Sequence, residues 1–191
     1  NDLVGSDTLR NSMYTYNQGP DDYFGNNPPS VFLTSLQNPI TYIPGITFID
    51  NNLNEIYEEG IDTPIDTAKI MLGPIRGIKY FPGANNMNIS SAMNYMNDAS
   101  SPLRDPITKF EARNLMLGKT NLGGSIDPCN WNYGTVVGQN CADINPRFMY
   151  SGDPVTNTGW INNTAVDQRT MLNIGPFELK ANEPQEILIG Y

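Results

Sequence analysis

Glycine and proline break this chain too often for long helices to form. Seventeen Gly and fifteen Pro are spread over 191 residues, and inside a helix each costs about 1 kcal/mol (Gly) or about 3 kcal/mol (Pro) relative to Ala. Between the breaks lie short apolar or alternating runs that read as strands: Ser12 to Tyr16, Val31 to Leu36, Ile46 to Ile49, Lys69 to Leu72, Gly77 to Phe81, Ser91 to Met96, Thr135 to Val137, Arg147 to Tyr150, Thr170 to Ile174 and Glu186 to Gly190. Turn residues separate almost all of them. The spacing predicts a mainly β fold, an antiparallel β-sandwich or jelly roll with long loops, and not a βαβ arrangement. With no internal repeat and no low-complexity linker, residues 1–191 read as a single β-rich domain, and the missing initiator Met marks it as a fragment of a longer chain.

One short helix is expected over about 106–117. Asp105 can cap it, Pro106 suits the first helical position and Gly118 the position just past its end, while Ile107, Phe110 and Leu117 share a face. The stretch from Asp50 to Thr67 is the acidic centre of the chain, with Glu55, Glu58, Glu59, Asp62 and Asp66, and reads as a long solvated loop with one helical turn at most.

Composition excludes several functions. Eleven basic against twenty acidic residues give a net charge of -9, which repels phosphate backbones and anionic membrane surfaces, so nucleic acid is not expected as a partner. The chain has no His, which removes the commonest general base and the commonest neutral metal ligand. No Gly-x-Ser-x-Gly, phosphate-binding loop or dinucleotide fingerprint is present, and no enzyme activity is expected. No apolar run is long enough to span a membrane as a helix. Only 16% of residues are charged, and the neutral-polar balance suits an extracellular or cell-surface protein.

Cys129 and Cys141 stand twelve apart in a turn-rich stretch. In an oxidising compartment they are expected to pair, and closing that loop would constrain the unfolded chain by roughly 3 kcal/mol. The alternative is two unrelated buried thiols. No cofactor is expected beyond calcium. The string Asp50-Asn51-Asn52-Leu53-Asn54-Glu55 offers oxygen atoms at alternate positions, but Glu55 stands where a calcium loop needs Gly and Ile61 where it needs a bidentate Glu. Asp2, Asp7, Asp21 and Asp22 are better loop candidates for the same ion than that string, though solvated turn aspartates are the favoured reading of them. Trp131, Tyr133 and Trp160 sit among Asn, Gly and Asp, a setting that suits stacking on sugars and also suits half-buried loop anchors.

The C-terminal residues Ser151-Gly152-Asp153-Pro154, Gly159-Trp160, Asp167-Gln168-Arg169, Gly175-Pro176-Phe177-Glu178-Leu179 and Gln185-Glu186-Ile187 resemble a segment of large surface proteins of Bacteroidota and their relatives, chains that end in a type IX secretion sorting domain. Asn1-Asp2-Leu3-Val4-Gly5-Ser6-Asp7-Thr8, Tyr14-Thr15-Tyr16-Asn17, Gly25 to Val31 and Met93 to Asn97 extend the resemblance, while residues 39–85 carry none. Ser6, where relatives often have Cys, and Ala181-Asn182-Glu183, where they have Pro-Gly, mark a divergent member. The resemblance implies a turn at Gly175-Pro176, a strand over Phe177 to Leu179 and a closing strand over Gln185 to Gly190. It also implies a cell-surface or released protein, with Asp7-Thr8-Leu9 and Asp66-Thr67-Ala68 matching that phylum's O-glycosylation signal at Thr8 and Thr67. The resulting expectation is a non-catalytic structural or adhesive module whose partners are other surface or extracellular proteins or glycans. The second reading is a carbohydrate-binding module of a secreted multidomain enzyme.

Overall fold

A computed structural model describes residues 2–191; Asn1, the first residue of the resembling N-terminal segment, lies outside the described residues. The elements in chain order are β1 (Asp2–Asp7), β2 (Ser12–Asn17), β3 (Val31–Gln37), β4 (Ile40–Thr41), β5 (Phe48–Ile49), β6 (Thr63–Pro64), β7 (Thr67–Met71), β8 (Ile78–Pro82), β9 (Asn85–Asn86), β10 (Ile89–Met96), α1 (Lys109–Met116), β11 (Gly134–Val137), β12 (Gly159–Asn162), β13 (Gln168–Ile174) and β14 (Leu188–Gly190), with a single 3-10 turn at Cys141–Asp143. One sheet has four strands in the order β1-β2-β3-β14, and the others are the two-stranded pairs β10-β13, β11-β12, β4-β9, β5-β6 and β7-β8. The fold is mainly β with antiparallel sheets and one short helix, the class expected from the sequence and consistent with a sandwich.

The chain forms two compact units. The first comprises residues 1–34, 89–173 and 190–191; the second comprises 35–88 and 174–189.

In the first unit β1 and β2 pair in a hairpin, Leu3 opposite Tyr16 and Gly5 opposite Tyr14. A side chain at Gly5 would run into the Tyr14 ring, so the glycine lets the aromatic lie flat across the neighbouring strand. Val4, Met93, Leu103, Leu115, Ile126, Met149, Tyr150 and Trp160 form the core of this unit. Burying each such side chain contributes about 1.5–3 kcal/mol. The expected strand at Arg147 to Tyr150 does not form. Only Phe148 bridges, in parallel to Ala92, and Tyr150 turns the chain away with φ of 54° while placing its ring in the core.

The helix starts three residues later than expected. Thr108 caps it, its Oγ1 accepting the Glu111 N–H at 3.2 Å. Thr108-Lys109-Phe110-Glu111 has the capping-box sequence, but the Glu111 carboxylate reaches past the cap to accept the Ile107 N–H at 2.9 Å and takes a bidentate pair from Arg104 at 2.8 and 2.9 Å. Asp105, the expected cap, instead meets Arg169 at 3.1 Å. The expected apolar face is corrected too: Ile107 lies before the helix, Phe110 points to solvent, and Leu115 is the residue driven into the core. Gly118 ends the helix with φ of +75°, as expected.

In the second unit Ala68 and Ile70 of β7 face inward, alternating with exposed Thr67, Lys69 and Met71, and β7 pairs with β8 with Lys69 opposite Tyr80. Phe48 is fully buried against the edge of Tyr57. Tyr57 stacks on Tyr42 and covers Gly83, where no Cβ would fit. Phe177 to Leu179 is irregular and not a strand. The closing strand begins only at Leu188; ahead of it the Gln185 side chain accepts the Ile40 N–H at 3.0 Å and donates to the Ile40 carbonyl at 3.4 Å.

Candidate functional site

Cys129 and Cys141 are joined by a disulfide. The Asp127 carboxylate accepts the Cys129 N–H at 2.9 Å and the Asn130 side-chain amide at 2.7 Å, so local hydrogen bonds organise the loop that the bridge closes. These hydrogen bonds, Asn130 first, hold the Asp127 carboxyl below its usual range. Trp131 and Tyr133 stand on this loop with ring centroids 5.7 Å apart, both half-buried. The Trp131 indole donates to the Tyr150 hydroxyl at 2.9 Å. Trp160 does not join them as a ligand-facing ring. It is 0% exposed and packs against Tyr150 in the core, and β12 places it there because Val136 opposite and Gly134 beside it leave space for an indole.

The remaining sequence candidates are dispersed. Asp7 accepts the Leu9 and Arg10 N–H groups and pairs with the Arg10 guanidinium; Asp21 accepts the Tyr23 and Phe24 N–H groups; Asp2 and Asp22 are at or near the surface. Among the described residues no three His, Cys, Asp or Glu side chains converge on one point. Thr8 is exposed in the β1–β2 turn and Thr67 is exposed at the start of β7, both accessible to a modifying enzyme. Asn162, which with Asn163 and Thr164 spells an Asn-x-Thr glycosylation sequence, is not accessible: its side chain is buried, donating to the Tyr133 carbonyl and accepting the Val4 N–H.

The acidic loop of the second unit is exposed over residues 51–56 and 59–61, as expected, contains no helical turn, and is held by hydrogen bonds of its own side chains. Asp62 is buried and accepts the Asn51 N–H at 2.9 Å with one oxygen and the Glu58 N–H at 2.7 Å with the other, tying both sides of the loop together. Asp50 accepts the Glu55 N–H at 2.7 Å, and Glu58 accepts the Asn52 and Asn54 amides. This scaffold holds Leu53 and Glu55 at φ of 59° and 62°, a backbone state costing roughly 1–2 kcal/mol for such residues. The result is a groove of about 480 Å³ with Pro44, Ile49, Leu53 and Ile65 as apolar lining and the acidic Asp50 and Glu55 beside them. Ile49 and Ile65 are half-exposed and Leu53 is 87% exposed.

Beyond this loop the β7–β8 hairpin carries the opposite sign. Residues 67–82 hold Lys69, Arg76 and Lys79 and no acid. Gly73 and Gly77, both at positive φ, close the tip and leave Ile75 97% exposed beside Arg76. Sequence reasoning missed both the groove and the tip. The glycines flanking Pro74-Ile75-Arg76 were the available signal for the tip, whereas the groove depends on contacts of Pro44 and Ile49 with a loop that follows in sequence.

No protein-family model, curated protein or solved structure matches this chain. The fold and the disulfide define it as a mainly β, disulfide-bonded protein, and among the described residues no helix is long and apolar enough to cross a membrane.

Proposed function

We propose that the chain is a non-catalytic structural or adhesive module of a secreted surface protein, acting through contacts with other extracellular proteins. The observation that carries this reading is the exposed apolar display of the second unit, Leu53, Ile49 and Ile65 in the groove and Ile75 at the hairpin tip. The Ile49, Leu53 and Ile65 side chains line one groove, and contiguous exposed apolar surface of this kind marks interaction sites. The disulfide and the resemblance to type IX-secreted surface proteins support an extracellular setting. The reading is tested by coating beads with the chain and measuring their retention on a panel of extracellular proteins and on the parent cell surface. Retention that falls with Leu53→Asp is expected. Equal retention of wild type and Leu53→Asp, or none by either, counts against it.

Carbohydrate binding is the second reading, favoured by the Trp131–Tyr133 pair on the disulfide-closed loop. A glycan array on which binding is lost with Tyr133→Ala would move it ahead.

A further inference from the structure

Charge is segregated within the second unit. Residues 50–66 carry six acids and no Lys or Arg, and residues 67–82 carry three bases and no acid. Among the described residues none of Lys69, Arg76 and Lys79 forms an ion pair with another residue of the chain. Lys69 and Lys79 lie over the rings of Tyr80 and Phe81, and Asp50 already accepts two backbone N–H groups of its own loop. The complementary charges without an ion pair among the described residues are therefore Arg76 at the tip and Glu55 at the groove. The groove is an apolar trough with Asp50 and Glu55 on its lining. The tip is a protruding aliphatic side chain, Ile75, next to a guanidinium on a flexible stem.

We infer that the groove receives the Ile75-Arg76 hairpin tip of a second copy of this chain, so that the chain self-associates tip into groove. Ile75 enters the apolar lining of Pro44, Ile49, Leu53 and Ile65, and Arg76 meets the carboxylate of Glu55. A groove of about 480 Å³ has room for both side chains. Because groove and tip are different surfaces, two copies that exchange tips reciprocally close as a dimer, and copies that do not exchange them leave a free groove and a free tip on the assembly, which grows as a filament unless a rotation closes it into a ring. This inference rests on the structural or adhesive reading and names its partner.

The test is sedimentation velocity on the purified chain at low and high salt. Self-association that rises with concentration and weakens with added salt is expected, since exposed charge pairs are screened. Arg76→Glu and Glu55→Arg, each at an exposed position, should each weaken association at least about tenfold, with unchanged circular dichroism. Mixing the two variants, or combining them in one chain, should restore it, because each reversed groove then faces a reversed tip. A chain that stays monomeric at about 1 mM in low salt, or whose association ignores both charge reversals, overturns the inference. Groove binding of a cyclic peptide carrying Leu72–Gly77 by a chain that does not self-associate also overturns it, assigning the groove to a different basic partner. In that case bead retention on extracellular proteins, lost with Leu53→Asp, would leave the adhesive reading standing.

Discussion

Gly152→Ala is the sharpest probe of how the first unit is closed. Gly152 and Gly159 approach each other across the turn that joins the Gly-Asp-Pro and Gly-Trp segments. The Gly152 N–H donates to the Trp160 carbonyl at 2.8 Å, and Asp153 and Thr158 exchange backbone hydrogen bonds at 2.7 and 3.1 Å. A methyl at Gly152 would lie 2.6 Å from the Thr158 carbonyl oxygen and 2.7 Å from both the Gly159 carbonyl carbon and the Trp160 nitrogen. All three are backbone atoms, so no side chain can swing aside, and relief requires β12 to shift with Trp160 attached. Overpacking of this kind costs about 3 kcal/mol at the upper end, offset by up to about 1 kcal/mol from the reduced freedom of the unfolded chain. The net loss of about 2 kcal/mol corresponds to a fall in Tm of roughly 4–8 °C for a chain of this size. Thermal unfolding by far-ultraviolet circular dichroism measures it, with Gly19→Ala as the control. A methyl at Gly19 would meet no atom within 4 Å, and that variant should change by less than about 0.5 kcal/mol. A Gly152→Ala Tm within about 1 °C of wild type would refute the close-approach argument.

Leu115→Ala, which empties the helix's one fully buried position, should cost about 2–5 kcal/mol in urea unfolding, whereas Phe110→Ala at an exposed site on the same helix should be near neutral. The double substitution Cys129→Ser with Cys141→Ser should lower stability by about 2–3 kcal/mol, read from the urea midpoint, and dithiothreitol should have the same effect on the wild type. The carboxyls of Glu111, through Arg104, and Asp153, through the Thr156 hydroxyl, lie below their usual values. Their contribution is therefore present above the unfolded carboxylate pKa and is lost as pH falls through the lower folded values. Thermal midpoints should decline on acidification, less steeply in Asp153→Asn; an acid limb of unchanged slope in that variant would contradict the assignment. Direct titration by NMR should place the Tyr14 hydroxyl, raised by burial to about 12, well above a free tyrosine.

The strands β2, β3, β7, β8, β10 and β13 lie close to where short β-favouring runs between turn residues place them, and in β7 the buried residues alternate as a half-buried strand requires. The two-residue strands β4, β6 and β9 have no such signal, since a pair of residues carries no period and pairs only because a partner is delivered to it. Asp105 and Thr108 can both cap a helix, so local sequence leaves its start ambiguous by three residues. Only Arg169, sixty-four residues away, decides that Asp105 is engaged elsewhere. Trp160 reads as a recognition aromatic amid Asn and Gly, yet the register with β11 turns it inward.

What the amino-acid sequence determined by itself was local: a β-rich chain cut into short strands by turn residues, one helix ended by Gly118, and two cysteines close enough along the chain to be joined. These follow from backbone freedom and short-range spacing, which act within a few residues. The tertiary structure alone decided which side chains are spent and which are offered. It buried Trp160 and Asp62, and it exposed Leu53 and Ile75. It also assembled the groove from Pro44, Ile49 and the acidic loop. Burial is a property of what packs against a residue, and that partner is set by strand register and by contacts between segments far apart in the chain.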